Sequence, residues 1–476
     1  MPNRTLSFTI LLLSLLFRAQ AQSVYISPDI NIKNDFSYYV LVHPNQTISL
    51  LRDKSFRLSL QTLYPDFQWS VEKNIELPGK KWRLLDLYEK GNDIGIFYVS
   101  RDDADYRLYY AGYNAQAALQ SEKLLFEGVS VSGDDALKIQ NSEDRNWIAI
   151  GFNDLKQNRK LLLYNRKEDS IYYTLNLKDL SGKDELQIRE LELDNRGVSY
   201  LIGKYNEPGG SKKKSQTAVM RVSANGGTSP LIMVPMDEVQ FSNGFTALDH
   251  RNDRLAIGGL YSDKNNQSPK GYALSYVHSD GTLTGPDFTP FSGELLEEWS
   301  GNNKKSVLNS SELHTRNIAF KQDGGCLIFY ENIKELSRRP YFSNSDPTGA
   351  YASKWFDYYF DDILVASFDA SGKLIWDRVL HKRQYSQDDE GLFSSFFIFR
   401  TNALLRIIFN DAISSEGTVS EYLMKPNGDQ IRKSILNTSY KNLNLRFRDA
   451  IELDARSLLI PSESSGRLNL VKIVFE

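Results

Sequence analysis

The sequence has few of the residues that build disulfide frameworks, metal sites and cofactor sites. Its 476 residues include one cysteine and five histidines, and the histidines are scattered along the chain. A disulfide needs two cysteines, and a structural zinc site takes about four Cys or His ligands. No phosphate-binding glycine loop and no dinucleotide-binding fingerprint occurs. We therefore predict no metal site and no cofactor.

The chain also lacks a strong excess of charge and a second long apolar run. Lys and Arg number 57 against 60 Asp and Glu, for a formal charge of −3. A nucleic-acid partner is not expected, because neutralising phosphates takes clustered positive charge. Beyond the N-terminus no stretch approaches the roughly 18 apolar residues of a membrane-spanning helix, so we expect no membrane insertion of the processed chain.

Residues 1–21 are organised as a secretory signal peptide. Arg4 precedes an apolar run over residues 5–17, and Ala19-Gln20-Ala21 places small side chains where signal peptidase reads them. The run is shorter than the roughly 20 residues that span a bilayer, although an N-terminal membrane anchor is the alternative. We predict cleavage after Ala21 and a periplasmic or secreted protein.

Aromatic residues are plentiful, and short apolar runs recur. Tyr and Phe number 26 and 25, which favours sheet. Successive runs start roughly 50 residues apart except around residues 280–360, and each is bounded by turn formers, as buried strands are. The seven runs are residues 94–98, 147–150, 198–202, 255–257, 326–330, 404–408 and 458–460.

A second regular feature follows these runs. Each run is followed by two further predicted strands with a turn between them, and four of these turns end in glycine. Asn-Gly, Asp-Gly and Ser-Gly pairs permit the positive φ that tight hairpins require. The four turns are residues 223–226, 278–281, 369–372 and 425–428.

This repeat predicts an all-β fold, a β-propeller of four-stranded blades. The repeat count gives eight blades. The last unit, from about residue 442, has only three evident strands, so we expect residues 24–26 to supply its fourth strand and close the ring. Seven blades result if the first and last units share one blade, and two tandem β-sandwiches are the alternative architecture. We predict a single domain over residues 22–476, with insertions at 283–312 and 331–361.

One segment resembles known sequences. Residues 358–376, with His381-Lys382-Arg383-Gln384 and Ile408-Phe409-Asn410-Asp411, are similar to a group of uncharacterised exported proteins common in Bacteroidetes-type bacteria. The resemblance covers about 55 residues. It implies a location in the cell envelope and a repeat fold, and it brings no catalytic residues.

No catalytic motif stands out in the sequence. There is no G-x-S-x-G elbow, and Cys326 lies in an apolar run that predicts a buried, inert thiol. The alternative function is a carbohydrate-active hydrolase or lyase that uses carboxylates in the central pocket. Acidic residues recur at equivalent repeat positions, although strand-end acids mostly satisfy turn amides. Examples are Asp86, Asp154, Asp323 and Asp411.

The two insertions carry the residues that we select as a ligand-binding surface. Aromatic and arginine side chains dominate the energetics of binding surfaces. The candidates are Trp299, Arg338, Arg339, Tyr341 and Trp355, whereas Tyr358 and Phe360 are expected to pack within the fold. The leading hypothesis is therefore a non-enzymatic binding or scaffold protein of the envelope whose partner is an envelope protein or a polysaccharide.

Overall fold

The structure is a computed structural model that describes most of the chain. The described residues are 22–55, 57–79, 81–102, 105–131, 137–177, 186–206, 215–236, 239–264, 268–300, 312–338, 355–401, 404–411, 413, 417–438 and 443–475. The predicted signal peptide, residues 1–21, lies outside them. Among the described residues, no helix combines the length and the apolar character needed to cross a membrane.

Antiparallel strands make up almost all of the described structure and follow one another in units of four. Two short strands come first, β1 (Ser23–Ile26) and β2 (Ile30–Asn31). Unit 1 contains β3 (Ser37–Val42), β4 (Ile48–Asp53), β5 (Leu58–Leu63) and β6 (Lys73–Ile75). Unit 2 contains β7 (Lys81–Lys90), β8 (Asp93–Asp102), β9 (Asp105–Tyr113) and β10 (Leu119–Ser130). Unit 3 contains β11 (Leu137–Asn141), β12 (Trp147–Asp154), β13 (Arg159–Asn165) and β14 (Ser170–Asn176).

The middle of the chain continues the same order. Unit 4 contains β15 (Gln187–Leu193), β16 (Ser199–Asn206), β17 (Ser215–Val222) and β18 (Ile232–Val234). Unit 5 contains β19 (Val239–Asp249), β20 (Arg254–Asp263), β21 (Gly271–His278) and β22 (Leu283–Pro290), and helix α1 (Gly293–Ser300) follows it. Unit 6 contains β23 (Leu313–Phe320), β24 (Cys326–Arg338), β25 (Trp355–Phe368) and β26 (Leu374–Leu380), with β27 (Gln384–Gln387) added alongside β25.

The last two units complete the series. Unit 7 contains β28 (Phe396–Arg400), β29 (Leu405–Asn410), β30 (Thr418–Met424) and β31 (Gln430–Asn437). Unit 8 follows a 3-10 turn, Phe447–Asp449, and contains β32 (Ile451–Asp454), β33 (Ser457–Ser464) and β34 (Arg467–Val474). Units 2 and 3 join into one eight-stranded sheet through a short pairing of β10 with β12, so hydrogen bonding defines seven sheets.

The fourth strand of unit 8 comes from the N-terminus, as the sequence predicts. β1 pairs antiparallel with β34, and Val24 and Ile26 lie opposite Ile473 and Val471. The N-terminal strand therefore completes the sheet formed by the C-terminal strands.

The repeat read from the sequence coincides with this strand order. Each of the seven apolar runs coincides with the second strand of its unit, where neighbouring strands cover both edges and both faces are buried. The four glycine turns join third and fourth strands, and their glycines have positive φ, from 84° at Gly226 to 93° at Gly372. Both predictions are confirmed.

Each unit packs its two faces against its neighbours. Buried clusters join consecutive units from 1 to 8 along the chain. A further cluster joins Leu459 and Leu470 of unit 8 to Ile48 and Leu63 of unit 1. Since burying one such side chain contributes about 1.5–3 kcal/mol, these contacts between sheets are the main source of stability.

The single cysteine lies inside this core. Cys326 is fully buried and free, and burial raises the pKa of its thiol to about 11. A protonated thiol without access to solvent is unreactive, as the sequence predicts.

The antiparallel order gives the sheets two distinct ends. First-to-second and third-to-fourth turns lie at one end, which we call the turn end. Second-to-third hairpins and the connections between units lie at the other, the loop end. The α1 segment and the β24–β25 hairpin are both at the loop end.

The structure shifts one predicted boundary. Residues 283–290 form β22, the outer strand of unit 5, so the first departure from the four-strand pattern begins after Pro290 instead of at residue 283. Its Gly285-Pro286 and Pro290 resemble loop residues, but an outer strand tolerates proline because one edge has no partner. Of the second insertion, 331–361, the described residues 331–338 and 355–361 extend β24 and β25.

Candidate functional site

The extended hairpin of unit 6 continues the sheet of that unit at the loop end. β24 and β25 continue past the body of the unit, and β27 pairs along the outer side of β25. Arg338 lies opposite Trp355, Leu336 opposite Asp357, and Tyr385 opposite Tyr359. The hairpin and β27 thus provide a three-stranded extension of the unit 6 sheet.

One face of this extension is aromatic and open. Paired residues on neighbouring strands, and alternate residues along one strand, project from the same face. Leu336, Trp355 and Tyr385 are 39%, 43% and 47% exposed on it. We call the face defined by Leu336, Arg338, Trp355, Tyr359 and Tyr385 the platform.

The opposite face of the extension is covered by residues 388–395. Phe360 is buried there, and the Ser386 hydroxyl donates to Asp389 at 2.6 Å. The Phe356 amide donates to the Asp388 carboxylate at 2.8 Å. These contacts cover the β25 and β27 side of this face, whereas Glu335 and Ser337 of β24 stay exposed on it.

A buried carboxylate fixes the side chains of the platform. Asp357 has no exposed surface, forms an ion pair with Arg338, and accepts a hydrogen bond from the Tyr385 hydroxyl at 2.9 Å. Hydrogen bonding to Tyr359 and the charge of Asp357 raise the pKa of Arg338, and the hydrogen bond to Asp357 raises the pKa of Tyr385. The Tyr359 and Tyr385 rings lie 5.2 Å apart. Arg338, Tyr359 and Tyr385 are held by these contacts, so a ligand would bind them with little further loss of side-chain entropy.

The structure brings together two of the five predicted binding residues. Trp355 and Arg338 are direct cross-strand neighbours. Trp299, on α1, packs against the buried cluster between units 5 and 6 together with Phe291, so its place is in the packing of α1 and not on the platform. Arg339 and Tyr341 lie outside the described residues.

Sequence reasoning missed three members of the platform. The alternation Trp355, Asp357, Tyr359 along one strand was the available signal for Tyr359. Leu336 can be assigned to the platform only when the register of the β24–β25 hairpin is known. Tyr385 is on a strand that no repeat pattern predicts.

A buried polar network holds the extension to the rest of the fold. Lys382 and Glu331 are both buried and lie 2.8 Å apart, and Lys382 also donates to the Phe360 carbonyl at 2.7 Å. The Ser395 hydroxyl donates to Glu331 at 2.6 Å.

The network continues through the residues that carry the family resemblance. Gln384 donates to the Asn410 carbonyl at 2.6 Å and accepts from the Ser395 amide at 2.8 Å. Asn410 donates to the Leu445 carbonyl at 2.8 Å. Lys382, Gln384 and Asn410 are thus structural residues that connect units 6, 7 and 8.

A second site for consideration is a cavity of about 490 Å³ between the first strands of units 1, 2 and 8. Its acids are already paired with arginines. Asp86 forms an ion pair with Arg166 and accepts from Asn141 at 3.2 Å, and Asp449 lies 2.5 Å from Arg446. Glycoside cleavage needs a protonated acid and an ionised partner that both face the substrate. Asp86 and Asp449 face arginines instead, so their arrangement does not match that of a glycosidase.

The other acids selected from the repeat lie elsewhere. Asp154 accepts from the turn amides of Lys156 and Asn158 at 2.9 and 2.8 Å. Asp323 accepts from the Gly325 amide at 2.8 Å, and Asp411 pairs with Arg432. Two of the four thus satisfy turn amides, and only Asp86 lines the cavity.

One carboxyl group on a first strand is strongly perturbed. Glu192 of β15 accepts from Gln140 of β11 at 3.1 Å and from Thr246 of β19 at 2.7 Å. Burial raises its pKa to about 7. Among the described residues, no group of three or more His, Cys, Asp or Glu side chains is arranged to hold a metal ion.

Comparisons with known proteins return structural neighbours only. No known family and no curated protein matches the chain. The β-propeller domain of the Trilobed protease from Pyrococcus furiosus is 12% identical over 83% of this chain and 94% of that one, with a TM-score of 0.38. An ulvan lyase is 10% identical over 81% and 90%, with a TM-score of 0.36. The Vanderwaltozyma polyspora Nup133 β-propeller is 11% identical over 80% and 91%, with a TM-score of 0.38. At these values the likenesses give no indication of activity.

Proposed function

We propose that this protein is an exported, eight-bladed β-propeller that binds a partner in the cell envelope and performs no chemistry on it. Eight blades are supported by the eight four-stranded units and by the apolar contacts that lead from each unit to the next and from unit 8 back to unit 1. Export is supported by the signal-peptide organisation of residues 1–21. The partner is an envelope protein or a polysaccharide.

The platform is the observation that carries the proposal. Exposed apolar side chains in a group on a rigid face indicate a binding surface, whereas isolated ones do not. Trp355 and Tyr385 provide flat rings, Arg338 provides a directional charge, and Asp357 holds both Arg338 and Tyr385 in place. Leu336, exposed on the neighbouring strand β24, favours a protein partner, since aliphatic side chains do not stack on sugar rings.

Affinity capture tests the proposal. The chain from Gln22 onward is tagged, immobilised and exposed to envelope extract of its own organism, and bound protein and bound carbohydrate are both identified. Trp355→Ala should abolish retention of the partner. Ile375→Ala, which removes another exposed apolar side chain (54% exposed) from the same unit, should leave retention unchanged.

The outcomes separate the alternatives. A protein retained by the wild type and by Ile375→Ala, but not by Trp355→Ala, supports a protein-binding platform. Carbohydrate retained in the same pattern identifies a polysaccharide partner. Retention that is equal in all three proteins would exclude the platform as the binding surface.

A further inference from the structure

A polar cavity lies between units 1 and 2 at the turn end, opposite to the platform. Its volume is about 310 Å³. Its walls come from β4, β5 and the adjoining turns of unit 1 and from two turns of unit 2. The lining is rich in hydroxyl and amide groups, among them Asn45, Ser49, Thr62, Ser70, Asn92 and Gln116.

The cavity interrupts an otherwise apolar interface. Leu51 and Leu60 belong to the buried cluster between units 1 and 2. Ser49 and Thr62, two residues away on the same strands, are directly paired and point to the same face. Ser49 and Thr62 are both buried, and burying hydroxyls without partners costs free energy. A hydroxyl-lined space in this position is suited to a guest that forms hydrogen bonds.

A buried histidine organises one wall of the cavity. The His43 ring lies with Nδ1 3.0 Å from the Gly91 carbonyl and Nε2 2.8 Å from the Ser49 hydroxyl. Because a carbonyl only accepts, Nδ1 carries the proton, and the Ser49 hydroxyl donates to Nε2. The Ser49 oxygen thus keeps its lone pairs for another donor and is held in a fixed orientation.

The charge and size of the cavity define its guest. Lys73 and Asp93 contribute one charge of each sign, so the lining selects for no net charge. The volume equals the share of about ten water molecules in the liquid, which is enough for one pyranose together with a few water molecules. Tyr64, 48% exposed, lines the cavity and offers a ring face for the apolar side of a sugar.

We propose that this cavity binds a single neutral sugar residue through the hydroxyls of Ser49 and Thr62. This site is independent of the platform, because the two lie at opposite ends of the sheets. The sugar site can therefore be tested separately from the binding of an envelope partner to the platform.

The test is a calorimetric titration of the chain from Gln22 onward with free monosaccharides. The panel is glucose, galactose, mannose, rhamnose and N-acetylglucosamine. We expect millimolar binding of at least one sugar, weakened about tenfold or more by Ser49→Ala and by Thr62→Val, since each change leaves a sugar hydroxyl unpaired. Thr62→Val keeps the shape of the side chain, so we expect this variant to fold and any loss of affinity to reflect the missing hydroxyl.

Two further variants complete the experiment. Ser262→Ala removes a buried serine from the second strand of unit 5 and should leave the affinity unchanged. Trp355→Ala should also leave it unchanged. Absence of binding for every sugar in the panel would overturn the proposal, as would binding that survives both Ser49→Ala and Thr62→Val or that is lost in Trp355→Ala.

Discussion

Glu192 should make the stability of this protein fall as pH rises through neutrality. Burial raises the pKa of its carboxyl from 4.5 to about 7 in the folded chain, so the folded state binds this proton more tightly than the unfolded state does. The stabilisation is complete below pH 4.5 and is lost as pH rises through about 7. The rise of this pKa from 4.5 to about 7, at about 1.4 kcal/mol for each pKa unit, corresponds to about 3–4 kcal/mol.

Glu192→Gln removes this dependence while keeping an uncharged side chain that can hydrogen-bond Thr246 and Gln140. The variant should match the wild type near pH 4.5 and exceed it by about 3 kcal/mol in the free energy of unfolding near pH 8. Urea unfolding followed by tryptophan fluorescence at the two pH values measures the difference. Other titrating groups cancel, because both proteins carry them.

The matched control is Glu190→Gln, on the same strand but exposed. The difference in the free energy of unfolding between Glu190→Gln and the wild type should change little with pH. A small change remains, because the charge of Glu190 also raises the pKa of Glu192. The reasoning would be refuted if the stabilities of Glu192→Gln and the wild type ran parallel from pH 4.5 to pH 8.

Three other perturbations test the remaining structural claims. Lys382→Met removes one of the two cations beside the buried Glu331 and leaves Arg316, at 3.2 Å, as the other, so it should cost about 3 kcal/mol in urea unfolding, with part recovered by adding Glu331→Gln; no recovery would contradict the pairing. Gly428→Ala forces a side chain onto φ 87° and to 3.0 Å from the Trp376 ring, so we expect a loss of about 1–3 kcal/mol, and an unchanged melting temperature would argue against this contact. Removing residues 22–31 exposes the edge of β34 and should produce oligomers in size-exclusion chromatography with light scattering, whereas a stable monomer would show that β1 is dispensable.

The repeat was predictable because its signals are local. A buried second strand must be apolar at successive positions, and a tight turn between the third and fourth strands favours glycine at positive φ, so both recur at a fixed interval. The outer strand β22 was hidden because its Gly285-Pro286 and Pro290 have the composition of a loop. Only its position at a sheet edge explains why they are tolerated.

The platform was predictable in part. Trp355 and Arg338 were selected from their residue types, and their adjacency depends on a hairpin register that the sequence does not reveal. Tyr385 joins them because two buried residues, Lys382 just before β27 and Gln384 at its start, fix the course of the chain. Trp299 shows the opposite case, since residue type alone does not distinguish a tryptophan on a binding surface from a half-buried one on a helix that packs against the core.

The pairing of β1 with β34 has a consequence for biosynthesis. Of the described strands, β1 is synthesised first and its partner β34 last, so the sheet of unit 8 cannot form until β34 has emerged. Units 1 to 7 contain all of their own strands and are free to fold in order behind the growing end. Throughout that time β1 presents an unpaired edge, and the slowest step of maturation should be the search of this short strand for its partner.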